Sequence, residues 1–363
     1  LEDGILEVEA GAKIGELARI LAPQGWLPPV MPGTGFATIG GAIAMDVHGK
    51  NHHGAGSFGE HVESLTLVTA KGARTVKAGT ALFKATVGGL GQTGPILSAR
   101  VKLLKTKGDV IVVTERRIQD WDGFISAFDA SDTTYSVGWI DATARGAALG
   151  RGILEEAETG GGLVKPARRG KSIPFDAPSF ALSPMVVRAF NAAYWRRVPE
   201  RGRTVVKPID DFFFPLDKIH DWNRLYGKSG FHQFQCVVPL AEADTLKSML
   251  ADVTASGLAS PLAVLKRMGP GRAGFMSFPM EGYTLAVDFP NRPGVEPLIQ
   301  KLEQATTDAN GRIYLAKDAL ASPELIRDMY PDHAKWLKEV RKVDPDGAYE
   351  TNLTRRLKLR STA

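Results

Sequence analysis

The chain has 363 residues, 44% hydrophobic and 23% charged, with a formal net charge of +5. That length exceeds one compact core, so two domains, or one domain with a large insertion, are expected. The composition suits a soluble globular enzyme, and no window of eighteen apolar residues exists to form a transmembrane helix.

In chain order, the run Gly4–Glu9 reads as a strand. Residues 11–22 carry apolar positions at Ile14, Leu17, Ala18 and Leu21, the spacing of a short amphipathic helix that Pro23 and Gly25 stop. A turn cluster, Pro32-Gly33-Thr34-Gly35, leads into the glycine turn at Thr38–Gly41. Val62–Thr69 and Thr75–Lys77 read as a hairpin turning at Lys71-Gly72, and residues 81–86 read as a helix. A second glycine cluster, 88–94, leads into a strand at Ile96–Leu104, and the β-branched run Val110–Thr114 gives the next.

The character then changes. Residues 150–180, rich in Gly, Arg, Lys and Pro, read as a mobile loop with Gly160–Gly162 at its tip. Strands are expected at Phe231–Val238, Leu262–Lys266, Tyr283–Phe289 and Arg312–Ala316. Helices are expected at 241–256, 295–309 and in the charged tail 323–347.

Charge and cysteine usage narrow the partners. The basic residues are scattered and not interleaved with aromatic platforms, so nucleic acid is not expected. A mild basic excess fits an anionic substrate or a membrane surface equally well. Cys236 is the only cysteine, which excludes an intrachain disulfide and a CxxC metal site and leaves the compartment, cytoplasmic or periplasmic, open.

The segment Thr38–His53 carries the chemistry. Glycines let backbone approach a ligand closely, and backbone N–H groups in such turns can bind anions. Neither glycine cluster has the spacing of a Rossmann or P-loop motif. His48, His52 and His53 lie within six positions of one another. No carboxylate follows at ligand spacing, and only His48 with His52 has i,i+4 spacing, so no metal is expected. Hydrogen bonding to a cofactor or a sugar phosphate is the better reading, with Lys50 as charge partner.

The run His48-Gly49-Lys50-Asn51-His52-His53, inside Thr38–Gly59, resembles the flavin-binding signature of the decaprenylphosphoryl-β-D-ribose 2′-oxidase family. That family belongs to the vanillyl-alcohol-oxidase type of FAD-linked oxidoreductases. Ala85–Gly89, Phe175–Pro178, Phe214–Asp217, Trp222–Arg224, Ser277–Pro279, Val287–Pro290, Ala316–Asp318 and Arg341–Pro345 resemble it in the same order, so the similarity covers nearly the whole chain.

The resemblance implies an α+β, two-domain FAD-linked oxidase fold, with a split FAD-binding domain around an inserted α+β substrate domain. The chain would divide into 1–108 (FAD-binding), 109–311 (substrate-binding) and 312–363 (return to the FAD-binding domain). The family's glycine-rich phosphate loop lies upstream of the residue matching Leu1. The N-terminal FAD subdomain is therefore expected to be missing here, with a loss of FAD affinity.

The implied FAD contacts, non-covalent, are Gly33, Thr38, Ile39, Gly40, Gly41, Met45, Asp46, Val47, His48, Ile96 and Tyr314. The implied reaction oxidises the 2′-hydroxyl of a polyprenylphosphoryl-β-D-ribose, the first half of an epimerisation to the arabinose donor for cell-wall arabinan. A nicotinamide-dependent keto-reductase would complete it, and peripheral membrane association is compatible with a lipid-linked substrate. Lys317 is the candidate for polarising the substrate or acting as base, with His48 beside it. On a continuous strand Tyr314 and Lys317 would face opposite sides, so a bend is required. Lys50, Lys266, Gln233, Gln235 and Trp195 are the substrate candidates. Gln233 and Gln235 share one strand face and fit a sugar or a polar sheet face equally. Ala286 stands where some members of the family carry cysteine, so thiol-dependent chemistry should fail. The rivals are another sugar or aldonolactone FAD oxidase of this fold and a truncated, flavin-free binding protein.

Overall fold

Alternating and β-branched runs set two antiparallel sheets, and amphipathic helices cover them. The computed structural model describes residues 3–162 and 170–361. The first part holds β1 (Ile5–Glu9), α1 (Ile14–Leu21), β2 (Trp26–Leu27), α2 (Ile39–Ala44), α3 (His52–Ala55), β3 (Val62–Thr69), β4 (Gly72–Lys77), α4 (Ala81–Thr86), β5 (Ile96–Lys102) and β6 (Leu104–Lys105). Its four-stranded sheet has the order β1-β5-β3-β4. Gly72, at φ 98°, makes the tight β3–β4 turn that a side chain would resist. Gly15 and Gly35 are both glycine for another reason. Their backbones touch, with Gly15 N–H donating to Gly35 O at 2.9 Å, and a Cβ on Gly15 would lie 2.8 Å from the Gly35 Cα.

The second part holds β7 (Val110–Ile118), α5 (Trp121–Asp129), β8 (Tyr135–Ile140), β9 (Gly152–Gly160), β10 (Lys171–Ser172), α6 (Pro184–Arg196), β11 (Arg203–Pro208), α7 (Ile209–Phe213), β12 (Ile219–His220), β13 (Phe231–Val238), α8 (Ala243–Ser256), β14 (Ala263–Met268), β15 (Gly282–Pro290), α9 (Val295–Asp308) and β16 (Arg312–Ile313). Its eight-stranded sheet has the order β11-β7-β9-β8-β14-β15-β13-β16, antiparallel throughout. One face is covered by α5, α8 and α9. Phe234, Cys236, Leu285, Val287 and Phe289 enter that core against Leu246, Leu250, Val295 and Leu302. On α9, buried Val295, Leu298, Ile299, Leu302 and Thr306 keep the helical period.

The tail holds α10 (Pro323–Met329), α11 (His333–Val343) and α12 (Asn352–Arg356). Helix α11 returns to pack on α4, and buried Trp336 joins the same core as Ala85. The aromatic run Phe212–Phe214 enters the core of the first part, where Ile111 and Val113 of β7 also lie. The two sheets are thus tied by shared packing.

Three sequence expectations change. Residues 152–160 form β9, paired along its whole length with β7, rather than loop. Part of the expected mobile loop, 163–169, lies outside the described residues. Beyond it, helix α6 stands where no helix is expected from the sequence. The strand expected over Arg312–Ala316 stops at Ile313, where it pairs with Cys236 at the edge of the large sheet. Glu115 explains how β11 and the end of α6 are held to β7. Burial would raise this fully enclosed carboxylate, yet hydrogen bonds from Lys207 (2.8 Å) and Arg203 (2.6 Å), with Arg197 nearby, bring it down to about 2.

Candidate active site

The face of the large sheet turned away from α8 and α9 is polar. Strand alternation places Gln233 and Gln235 of β13, Thr284, Ala286 and Asp288 of β15, and Lys266 of β14 on that one side. The register sets Gln233 opposite Asp288, Gln235 opposite Ala286, and Lys266 opposite Thr284. Gln233 Nε2 donates to Asp288 Oδ1 at 3.0 Å, and Tyr226 OH donates to Asp288 Oδ2 at 3.2 Å.

Three other elements close over this face. His48 arrives from the turn after α2. Tyr314 and Lys317 arrive from the segment after β16, and Phe278 from the loop before β15. Phe278 and Tyr314 stack with ring centroids 4.6 Å apart, and the His48 ring lies 5.1 Å from Tyr314 and 5.3 Å from Phe278. The bend that Tyr314 and Lys317 require is a single 3-10 turn, Leu315–Lys317, with Lys317 N–H donating to Tyr314 O at 3.0 Å. The neighbouring carboxylate of Asp318 faces Arg356 and the N–H groups of Leu320 and Ala321, so Lys317 is not a surface lysine paired with it.

What fixes His48 is Asp46, whose side chain is fully buried at φ 41°. Its carboxylate accepts from Ser57 Oγ (2.8 Å), Gly59 N–H (2.8 Å), Ala273 N–H (3.2 Å) and Ser277 Oγ. These donors come from two segments far apart in the sequence. The clamp therefore ties the His48 turn to the loop that carries Phe278. Asp46 has spent its oxygens inside the protein, which makes it a positioning residue rather than the cofactor contact expected.

The electrostatics favour neutral groups. Burial pushes His48 well below its ordinary range, helped by Lys266, His52 and Lys317. Gln235 Nε2 lies 3.0 Å from His48 Nε2 and 3.1 Å from Thr284 Oγ1. An amide nitrogen only donates, so His48 Nε2 accepts and Nδ1 carries the proton. That buried Nδ1–H has no acceptor in the protein. Burial also lowers Lys317, against Asp288, and brings Lys266 down to about 7 with Lys317 and Lys50 nearby. Among the described residues, neither Lys266 nor Lys317 has a side-chain hydrogen bond or ion pair.

The Lys266 shift has a measurable sign. Its folded value, about 7, lies below the ordinary 10.5, so below about 7 the ammonium is charged in both states and its burial cost is fully present. As pH rises from there towards 10.5 the folded chain sheds the proton first, and the cost fades. Lys266→Met is therefore expected to raise Tm most near about pH 6, with the gain shrinking by about pH 10. A gain equal at both pH values in a thermal melt would refute the shift.

Other expected site residues fall elsewhere. Ile39 N–H donates to Ala12 O (2.9 Å), Gly40 N–H to Ala10 O (2.8 Å) and Gly41 N–H to Thr38 Oγ1 (3.1 Å). The glycine turn is the Thr38-capped start of α2, and its amides serve the fold rather than a phosphate. Gly33 remains exposed, so its backbone is open to a ligand; Gly41 is exposed too, but its N–H and carbonyl are taken by Thr38 Oγ1 and Met45 N–H. Met45 and Val47 pack in the cores beside His48, and Ile96 begins β5 opposite Leu67. Lys50 Nζ donates to Phe212 O and sits 3.9 Å over the Phe212 ring, with burial bringing it to about 8, so it does not reach out to a substrate phosphate. Trp195 donates to Ile118 O at 3.2 Å and is flanked by Arg117 and Arg151, a packing role at the β7 end of the sheet. His52 stays beside His48, ring centroids 6.5 Å apart, with its Nδ1 accepting from Gly269 N–H, while His53 turns its Nε2 to Thr133 O. Among the described residues no three His, Cys, Asp or Glu groups converge as metal ligands.

Residues 1–77 match the family of FAD binding domains. Decaprenylphosphoryl-β-D-ribose oxidase of Mycolicibacterium smegmatis is 37% identical, over 98% of this chain and 81% of that protein. The chain belongs to the decaprenylphosphoryl-β-D-ribose oxidase family. An uncharacterized protein of Streptomyces coelicolor is 32% identical over 94% of this chain and 99% of its own length. A D-lactate dehydrogenase of Anaerostipes hadrus is 28% identical over 30% of this chain and 25% of its own. Members of such a family are FAD-dependent oxidoreductases, and the residues present fit the cofactor. The orphaned Nδ1–H of His48 calls for an acceptor atom, and the aromatic pair beside it suits a planar ring. His48, Tyr314, Met45 and the open backbone at Gly33 are the groups that would hold it.

Proposed function

We propose that the chain oxidises the 2′-hydroxyl of a polyprenylphosphoryl-β-D-ribose to the 2′-ketone. The observation that carries this reading is the polar sheet face on which Gln233, Gln235, Lys266 and Asp288 stand under His48 and Lys317. Bound FAD supplies the acceptor for the hydride that leaves the sugar carbon. Everything else falls to side chains of this chain.

Lys317 Nζ takes the hydroxyl proton, since burial lowers the cost of its neutral form. Asp288, beside it, receives hydrogen bonds from Gln233 and Tyr226 and opposes that lowering, so the Nζ can hold the proton once it arrives. His48, neutral and fixed by Gln235, offers one N–H of fixed direction. Lys266, brought by burial to about 7, would regain its charge beside the sugar phosphate, a role for which Lys50 is too firmly held. Ala286 leaves a shallow, thiol-free floor between Gln235 and Val264.

The product is a keto sugar, which a separate nicotinamide-dependent reductase would convert to the arabinose epimer for cell-wall arabinan. Among the described residues no helix is long and apolar enough to cross a membrane. The test is turnover by FAD-reconstituted protein on a lipid-linked ribose against free aldonolactones. Turnover of the lipid-linked ribose alone is expected. Preference for the lactones would move the chain to the other sugar oxidases of this fold, and absence of flavin absorbance after reconstitution would leave a binding protein.

A further inference from the structure

Away from the site, six of the eleven large apolar side chains left exposed among the described residues lie on neighbouring segments. Phe175, Phe180, Met185, Val186, Phe190 and Leu225 are all exposed, Met185 at 81% and Phe180 at 69%. On α6, Met185, Val186 and Phe190 share one helical face with Ala189 and Ala193, while Val187 and Asn191 turn inward. This is amphipathicity pointed the wrong way for a free surface. Apolar clusters of this kind mark interaction sites.

The cluster is held rigidly. Arg292 donates to Ser179 O (2.7 Å) and Leu182 O (3.0 Å), and Arg224 donates to Ile173 O (3.0 Å) and Pro174 O (3.1 Å). Its charge is predominantly positive, with exposed Asp176 beside Phe175 the acidic exception. No carboxylate occurs between Asp176 and Glu200. Among the described residues, exposed Arg188 and Arg196 have no acidic partner, nor do Lys171 and Lys228 at the margin. Arg197, Arg203 and Lys207, by contrast, are spent on buried Glu115. Asp221, at the edge, accepts from the Ser172 hydroxyl.

We propose that this face docks onto an anionic lipid bilayer, with Phe180, Met185 and Phe190 in the headgroup–acyl boundary and Arg188 and Arg196 on lipid phosphates. Apolar side chains surrounded by arginines are the chemistry of interfacial binding. A second copy of this chain fits less well, because a two-fold contact here would oppose arginine to arginine. Leu225 lies in the patch, and its neighbour Tyr226 hydrogen-bonds Asp288 on the site floor. Docking would therefore bring the site to the membrane. In purpose this rests on the lipid-linked substrate proposed above; its test does not.

The test is flotation of the FAD-reconstituted protein with vesicles of phosphatidylcholine alone or mixed with phosphatidylglycerol, free of any substrate. Binding to the mixed vesicles, weakened by salt, is expected. The double variant Phe180→Ser/Phe190→Ser should lower the bound fraction about tenfold or more. Val206→Ser, which alters an exposed apolar residue on β11, should leave it unchanged. Circular dichroism and oligomeric state should match wild type for both variants. Equal flotation of the double variant and wild type would overturn the proposal, as would no binding to mixed vesicles. A dimer that the double variant splits would overturn it in favour of contact between copies.

Discussion

Lys317→Ala is expected to lower kcat by about 10²–10⁴-fold, the range for losing a positioned general base. Flavin absorbance should stay at the wild-type level, because the Nζ of Lys317 makes no hydrogen bond within the described residues and supports no other element. Lys317→Arg should not recover turnover. A guanidinium stays protonated at any working pH and cannot take the hydroxyl proton. A variant with flavin bound and kcat within about threefold of wild type would remove Lys317 from the chemistry. Loss of flavin in Lys317→Ala would instead assign it to cofactor binding. The burial of Lys317 beside Asp288 makes the first outcome the expected one.

How much of this could be read from the chain depended on sequence distance. The segment His48–His53 stood out because its unusual residues are adjacent. Strands Phe231–Val238 and Tyr283–Phe289 were legible from alternation, and with them the shared face of Gln233 and Gln235. Their partners were not. Asp288 and Thr284 join the site only through the β13–β15 register, which alternation alone does not set. The 3-10 turn that brings Lys317 round to Tyr314 follows from strand β16 ending early, and nothing local in Arg312–Ala316 marks that end. Lys50 looked like a phosphate ligand because a lysine between histidines suggests one. The carbonyl that holds it, on Phe212, is 162 positions away. Helix α6 escaped notice because its apolar residues serve the outer face as well as the core, which blurs the helical period. The glycines at 40 and 41 suggested an anion-binding turn, but the sequence could not say that the N–H groups were already paired.

Replacement of Asp46 has the largest expected effect on stability. Asp46→Ala removes the acceptor of four donors, two hydroxyls and two backbone N–H groups. Each buried donor left alone costs about 1–3 kcal/mol. Relaxation and water will recover part of this, so a net loss of about 3–5 kcal/mol is expected, at the upper end for single substitutions. The backbone at φ 41° adds to it, since alanine tolerates that region less well than aspartate or asparagine. Asp46→Asn separates the causes. It keeps the shape, the φ tolerance and one acceptor oxygen; its amide finds no acceptor in a backbone N–H, whereas the two serine hydroxyls can turn to accept it. Burial raises the Asp46 carboxyl above its ordinary range, against the lowering by its four hydrogen bonds, so loss of charge should cost less than loss of the acceptors. Asparagine should therefore fall between wild type and alanine in chemical denaturation. Because the clamp joins the His48 turn to the Phe278 loop, flavin retention should decline in the same order. Wild-type stability and flavin content in Asp46→Ala would show that the four donors find other partners, and that His48 is held by Gln235 alone.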